Sequence, residues 1–152
     1  MLFNGYFPVM AFQKERSAGY LANQMARLFA KGLHERIRPL DLAPAQFMTL
    51  LALWDEDGLP QRELVRRLDV EQATMANTLT RMERDGLIER RANPDDGRSQ
   101  AIHLTPRAKA LRDPATTAAR AQNEAALAGF SEEERDTFLA LMRRAIAAMH
   151  KD

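Results

Sequence analysis

The sequence contains no cysteine, which excludes thiolate zinc sites, iron–sulfur clusters, thiol catalysis and thiol redox sensing. Its three histidines, His34, His103 and His150, are dispersed along the chain, so we expect no metal site. It also has no Gly-rich loop behind a strand, no Ser/His/Asp arrangement and no carboxylate pair placed for acid–base work. The sequence therefore predicts neither an enzyme nor a cofactor.

Long apolar runs are missing as well, and none approaches the roughly 18–20 residues that a membrane span requires. Residues 1–12 are apolar and aromatic but lack the basic start and the cleavage site of a signal peptide. We expect a cytoplasmic protein that does not associate with membranes. The 152 residues correspond to one compact domain or to one protomer of an oligomer.

Neither sign of charge is in excess, because 22 Lys and Arg stand against 21 Asp and Glu, a net charge of +1. That balance argues against a strongly basic nucleic-acid binder. Only four of the cations are Lys, so 18 are Arg, the side chain suited to bidentate contacts with phosphates and base edges. The charge is +3 over residues 1–44, −3 over 45–59 and +2 over 90–107. Nucleic-acid binding would therefore depend on a few placed arginines.

Two amphipathic helices are predicted in the first third of the chain. Over residues 15–38, apolar side chains recur at helical spacing, at Leu21, Met25, Leu28, Phe29, Leu33 and Ile37. Pro44 suits the first position of a second helix, which carries Phe47, Leu50, Leu51 and Trp54 and ends at the acidic residues before Gly58. We interpret that acidic run as a solvated helix end rather than a metal site.

The middle of the chain predicts a winged helix. Two helices, at 61–68 and 71–85, follow each other closely, and Gly86 supplies a left-handed position after the second. The period then changes to that of short strands at 87–91 and 101–104, separated by the turn-rich residues 92–100. A helix-turn-helix followed by a β-hairpin with a charged tip is typical of a winged helix.

The rest of the chain is predicted to be helical. Thr105 and Pro106 form an N-cap and a first-turn proline, while Pro114 predicts either a kink or a break near Asp113. Ser131 and Glu134 form a capping box for a last helix with an apolar face. Apolar helices at both ends of the chain favour association with a second copy over wrapping around the same domain.

Two motifs resemble the MarR family of transcriptional regulators. The first is the wing, Asn-Pro-Asp-Asp-Gly-Arg at 93–98 with Ile-His-Leu-Thr-Pro at 102–106, which matches the family's Asp-x-Arg signature. The second runs from Leu68 to Ile88 and is similar to the family's recognition helix and its passage into the wing. The sequence departs from the family at Pro60, where Ser or Thr often caps a helix, and at Gly97, where Arg is common.

The resemblance implies a mainly α fold, a winged helix-turn-helix with a small β-hairpin wing, flanked by N- and C-terminal helices that form a dimerisation region. We assign residues 44–105 to the DNA-binding domain, and residues 1–43 and 106–152 to dimerisation. The expected activity is that of a homodimeric repressor that binds a pseudo-palindromic operator in double-stranded DNA. An interaction module that no longer binds DNA is the alternative.

A recognition helix reads base edges from the major groove, and a wing reaches the minor groove or the phosphates. The predicted recognition residues are Gln72, Ala73, Thr74, Asn77, Thr78 and Arg81. In the wing we expect Arg98 to enter the minor groove and Asp96 to hold its side chain by a charge-assisted hydrogen bond. Gln61, Arg62 and Arg90 are candidates for phosphate contacts.

The resemblance also implies that a small aromatic or phenolic acid relieves DNA binding, from a crevice between the winged helix and the dimerisation region. Side chains of suitable chemistry on the first two helices are Tyr20, His34, Arg38 and Trp54. Each has a simpler interpretation: the two aromatic residues as core, the two polar residues as exposed surface.

Overall fold

The computed structural model describes residues 11–150. The α-helices are α1 Ala18–Ile37, α2 Pro44–Asp55, α3 Gln61–Leu68, α4 Gln72–Arg84, α5 Pro106–Ala110, α6 Arg112–Ala126 and α7 Glu132–Met149. The strands are β1 Leu59–Pro60, β2 Ile88–Asn93 and β3 Asp96–Leu104. Short 3₁₀ turns at Lys14–Arg16 and Arg38–Leu40 flank α1. Within these residues, no helix is both long and apolar enough to cross a membrane.

The predicted helix ends are largely those of the structure, because the expected caps form. Gly86 has a φ of 72°, and the Thr105 hydroxyl accepts from the Ala108 N–H at 3.2 Å. The Ser131 hydroxyl accepts from the Glu134 N–H, and the Glu134 carboxylate accepts from the Ser131 N–H in return. The first helix begins at Ala18 rather than at Glu15, because Ser17 takes an extended conformation and caps it.

The wing belongs to a three-stranded antiparallel sheet in the order β1-β3-β2, rather than to a hairpin alone. Leu59 pairs with Ile102, and Pro60 with Ala101. Strands also occupy most of the segment predicted as a turn, since β2 ends at Asn93 and β3 begins at Asp96. The ladder between them shifts register next to Ala92, where the Asn93 side chain donates to the Ser99 hydroxyl instead.

The helix after the wing is divided in two, which answers the question that Pro114 left open. The division lies at Leu111, and Pro114 stands in the first turn of α6. Since proline has no N–H, it cannot donate to the Ala110 carbonyl one turn earlier, so the helix is interrupted before it.

The core lies where the helices α1 to α6 and the sheet meet. Its fully buried side chains include Ile37, Leu50, Leu53, Leu64, Leu79, Met82, Leu87 and Ile102. Only the C-terminal end of the apolar stripe on α1 takes part, through Leu33 and Ile37. Leu21 and Leu28 stay exposed, and α7 buries none of its residues. The two ends of the chain therefore present apolar side chains that this protomer does not cover.

Candidate nucleic-acid interface

The recognition helix α4 buries one face and exposes the other. Met75, Leu79 and Met82 pack into the core, as their spacing predicts. Five of the six predicted recognition residues lie outside the buried face: Gln72, Ala73, Thr74, Asn77 and Arg81. Thr80, for which the sequence predicted no contact, is exposed as well.

Thr78 is the exception among the predicted recognition residues, because it is only 9% exposed. Its hydroxyl donates to the Thr74 carbonyl at 2.9 Å. Thr78 follows Met75 by three residues and precedes Met82 by four, so helical geometry places it beside the buried stripe. Its polarity therefore suggested an exposure that the fold does not give it.

The predicted phosphate-binding residues and the wing arginine lie around one cavity of about 480 Å³ at the base of the wing. Gln61 and Arg62, at the start of α3, line one side, and Arg90 of β2 and Arg98 of β3 line the other. Ser99 and Gln100 add polar groups that the sequence analysis did not predict. The sequence could have indicated both residues, because they directly follow Arg98. They lie on β3, in a segment that the sequence predicted to be a turn.

Asp96 holds the backbone of the wing rather than the Arg98 side chain. Its Oδ1 accepts from the Arg98 N–H at 3.0 Å, and its Oδ2 lies 4.0 Å from the Arg62 guanidinium. The expected charge-assisted bond to the Arg98 guanidinium does not form, because the two-residue spacing turns the Arg98 N–H toward the carboxylate. The Arg98 side chain is thus free of ion pairs with the carboxylates of residues 11–150.

The other arginines of α3 have acidic partners. Glu63 accepts from Arg66 and, at 2.9 Å, from the Arg67 Nε. Arg67 also donates to Glu56 at 2.6 Å. Hydrogen bonds from the two guanidinium groups lower the pKa of Glu63 from 4.5 to about 2, and the pKa values of Arg66 and Arg67 rise in turn. Arg62 is therefore the α3 arginine that faces the wing.

The acidic run after α2 has a structural role that was not predicted. Asp57 Oδ1 accepts from the Leu104 N–H at 2.8 Å, while Oδ2 lies 3.7 Å from the His103 ring. Gly58, with a φ of 80°, leaves room for that ring, because a Cβ there would lie 2.9 Å from His103 Cε1. Asp57 thus joins the end of α2 to the base of the wing.

A second cavity, of about 560 Å³, lies between α1, α2 and α6, and we call it the helical cavity. Its walls are mostly apolar, with Ala26, Phe29, Ala30, Leu33, Pro44, Phe47, Met48, Leu51 and Ala119. Its polar residues, Thr116, Arg120, Gln122 and Asn123, all come from α6. Three of these recur at steps of four and three in an Ala-rich helix, a polar stripe that could have been detected in the sequence.

None of the four residues suggested for a ligand pocket lines the helical cavity. Tyr20, His34 and Arg38 are exposed along α1 and just beyond it. Trp54 is half-buried, donates from Nε1 to the Ala108 carbonyl at 3.0 Å, and packs edge-on against Phe47. The structure does not bring these four side chains together, and Trp54 has the core environment of its simpler interpretation.

Residues 42–100 match the MarR family, from the start of α2 to the wing. The uncharacterized HTH-type transcriptional regulator YwoH of Bacillus subtilis (strain 168) is 31% identical over 121 residues, 80% of this chain and 88% of that protein. A probable transcriptional regulator from Pseudomonas aeruginosa has a similar crystal structure. Its TM-score is 0.81 at 31% identity, covering 88% of this chain and 99% of the other.

The PcaV transcriptional regulator from Streptomyces coelicolor, solved in complex with its natural ligand, is also similar. Its TM-score is 0.79 at 26% identity, covering 92% of this chain and 99% of that one. Such agreement extends the likeness beyond the winged helix to the flanking helices. With its recognition helix, its wing and these relatives, the chain belongs to the MarR family of winged-helix DNA-binding transcriptional regulators, which are not enzymes.

Proposed function

We propose that this regulator is a cytoplasmic repressor that binds a pseudo-palindromic operator as a homodimer and is released by a small aromatic acid. The observation that carries this proposal is the cavity at the base of the wing, around which Gln61, Arg62, Arg90 and Arg98 meet. Four donor side chains around one cavity suit a phosphate backbone, and the exposed face of α4 supplies the base-reading groups.

In the proposed complex, α4 lies in the major groove and the wing extends along the minor groove. Asn77 is suited to a bidentate contact with adenine, and Arg81 to a contact with guanine or a phosphate. Gln72, Ala73 and Thr74 accompany them on the exposed N-terminal half of the helix. Arg98 enters the minor groove, because its guanidinium is exposed and has no carboxylate partner in the described chain.

The proposed dimer forms through residues 1–43 and 106–152, and residues 44–105 bind DNA. Leu28 of α1 is 61% exposed and lines an apolar groove of about 470 Å³ with Phe130 and with Phe138 of α7. Further along α7, Leu141 and Ile146 are also exposed. A second copy would cover this face, and a two-fold dimer places two recognition helices on two half-sites.

The helical cavity is the proposed effector site. Its volume and apolar lining are those of small-molecule sites, and Arg120 is a cation at its edge that suits a carboxylate. PcaV was solved in complex with its natural ligand, which supports the proposal that the present protein also binds a ligand. A bound acid would lower DNA affinity only by binding more tightly to the protomer arrangement that cannot bind both half-sites.

The experiment is titration of the DNA upstream of the protein's own gene, followed by electrophoretic shift and footprinting, with and without salicylate as the aromatic acid. We expect a protected site with two-fold symmetry and a weaker complex when salicylate is present. Transcription from that site should fall when the protein is added. A transcript that rises would contradict repression, and unchanged DNA affinity at saturating salicylate would contradict the effector.

A further inference from the structure

Between the helical cavity and the recognition helix lies one buried amide, that of Gln46, which is only 6% exposed. Its Oε1 accepts from the Ala43 N–H at 3.1 Å, and its Nε2 donates to Asp85 Oδ2 at 2.9 Å. Asp85 is the C-cap residue that directly follows α4, and its N–H donates to the Arg81 carbonyl. A side chain on the first turn of α2 is therefore one anchor of the C-terminal end of the recognition helix.

The neighbours of Gln46 on α2 face the other way, into the helical cavity. Pro44, Phe47 and Met48 line it. Because α2 is a regular helix from Pro44 to Asp55, its first turn moves as a unit. An occupant of the cavity that displaced this turn would therefore also displace the Gln46 side chain.

The carboxylate that receives this bond is held firmly. Asp85 Oδ1 accepts from the Arg84 Nε at 3.1 Å, and the hydrogen bonds from Arg84 and Gln46 lower the pKa of Asp85 below its ordinary value. The end of α4 has a second anchor on α5, where Arg107 donates to the Asp85 carbonyl. That anchor uses no residue that lines the helical cavity.

We propose that the Gln46–Asp85 hydrogen bond transmits occupancy of the helical cavity to the recognition helix, so Gln46 is a positioning residue for ligand-controlled DNA binding. This inference rests on the proposed function for the effector. The link has a specific chemical requirement, because it needs one hydrogen-bond donor and one acceptor between α2 and the end of α4. The requirement is met whether the donor is at position 46 or at position 85.

That property gives a test by reversal. Gln46→Glu keeps the acceptor for the Ala43 N–H but sets a carboxylate against Asp85, which breaks the link. Asp85→Asn in the same chain restores it, because the new amide can donate to the introduced carboxylate and still accept from Arg84. Asp85→Asn alone completes the cycle, and Ala45→Glu, at an exposed residue of the same helical turn outside the link, is the matched control for added charge.

The measurement is the ratio of operator Kd values with and without saturating salicylate for each variant, with salicylate Kd from calorimetry and Tm values to verify folding. In Gln46→Glu we expect the ratio to fall toward 1, a loss of about five-fold or more in coupling, while salicylate still binds. The double variant and the Ala45→Glu control should respond like wild type. A wild-type ratio in Gln46→Glu, or no recovery in a folded double variant, would overturn the inference.

A second arm needs no ligand, so it separates failure of this inference from failure of the proposed effector. Ala119 lines the helical cavity from α6, and Ala119→Phe fills part of it permanently. We expect this change to raise the operator Kd about five-fold or more with Gln46 present, and much less in the Gln46→Glu background. If salicylate fails to bind wild type, the effector proposal fails, while this arm still decides on the link. Equal effects in both backgrounds, or none in either, would refute transmission through Gln46.

Discussion

Arg98 and Asn77, for which we propose two different kinds of contact with DNA, are positioned by the fold in different ways. Arg98 is on a strand whose backbone Asp96 fixes through one hydrogen bond at 3.0 Å, so the position of its Cα is set while its side chain remains free. Asn77 is on the outward face of α4, opposite the buried Met75 and Leu79. The wing residue is therefore suited to electrostatic attraction, and the helix residue to base recognition.

Replacing Arg98 by alanine should weaken binding to all DNA sequences to a similar degree. Loss of one phosphate or minor-groove contact should lower the slope of log K against log salt concentration by about 1. Fluorescence anisotropy titrations over a series of salt concentrations measure this slope. Arg112→Ala, an exposed arginine at the start of α6, is the matched control. A wild-type slope in Arg98→Ala would exclude a wing contact.

Replacing Asn77 by alanine should change which bases are preferred more than it changes non-specific affinity. A bidentate amide contact is worth about 1–3 kcal/mol of discrimination against a wrong base. Selection from a randomised operator library, followed by sequencing, would locate the relaxed position. Thr80→Ala is a matched control on the same helix, because Thr80 is also exposed but its hydroxyl donates to the Ala76 carbonyl. An unchanged preference in Asn77→Ala would remove Asn77 from base recognition.

At the level of elements, α3 packs one face into the core and carries ion pairs on its exposed side. Leu64 is its only fully buried residue among those described, and Glu63 accepts from both Arg66 and Arg67. The same interactions pair two of its three arginines with carboxylates of the protein itself. Arg62, at the N-terminal end of the helix, is therefore the arginine of α3 that we propose for the phosphate contact.

The ion pairs of Glu63 should make the stability of the protein depend on pH. The pKa of Glu63 in the folded protein is about 2, below the ordinary 4.5, so the stabilising contribution is present above pH 4.5. It should disappear as the pH falls through this interval, because protonation then favours the unfolded chain.

Urea unfolding of wild type and Glu63→Gln at a series of pH values tests this expectation. The variant should be less stable near pH 6, and the difference should close as the pH approaches 2. Asp136→Asn on α7, outside any ion pair of the described chain, is the control and should show no such closing. A difference that is constant with pH would show that Glu63 acts by packing.

At the level of the whole molecule, the protomer leaves a large apolar surface uncovered. Leu28, Leu141 and Ile146 are exposed, and they belong to the two helices at opposite ends of the described chain. Exposed apolar patches of this kind mark interaction surfaces. Of these two helices, α1 lines both the helical cavity and the groove beside it, while α7 contributes Phe138 to the groove alone. Assembly and ligand response would therefore share α1.

Leu28→Asp combined with Ile146→Asp should convert the proposed dimer to a monomer, because a shared apolar face cannot bury the introduced charges. Sedimentation equilibrium measures the mass, and footprinting should show that symmetrical protection of two half-sites is lost. Lys109→Asp on α5, exposed and outside this face, is the control and should remain dimeric. A dimeric double variant would place the interface elsewhere.

The sequence by itself determined the local elements, because caps, turn residues and apolar spacing act over a few residues. It predicted α3 at its observed ends, the cap at Ser131 and the buried stripe of α4. It also predicted the wing arginine and the residues proposed for phosphate contacts. Their positions around one cavity are observed, and their roles remain predictions. The wing motif was the specific signal for the family that the relatives confirm.

The tertiary structure decided everything that depends on residues distant in the sequence. The pairing of β1 with β3, the Asp57 bond to Leu104 and the Gln46 bond to Asp85 join residues 39 to 47 positions apart, and no local pattern encodes them. Burial of Thr78 and the lining of the helical cavity by Arg120 rather than Tyr20 also arise only when helices pack. Local propensities fix where a helix begins and ends, but which of its faces meets solvent, ligand or another helix is a property of the packed chain.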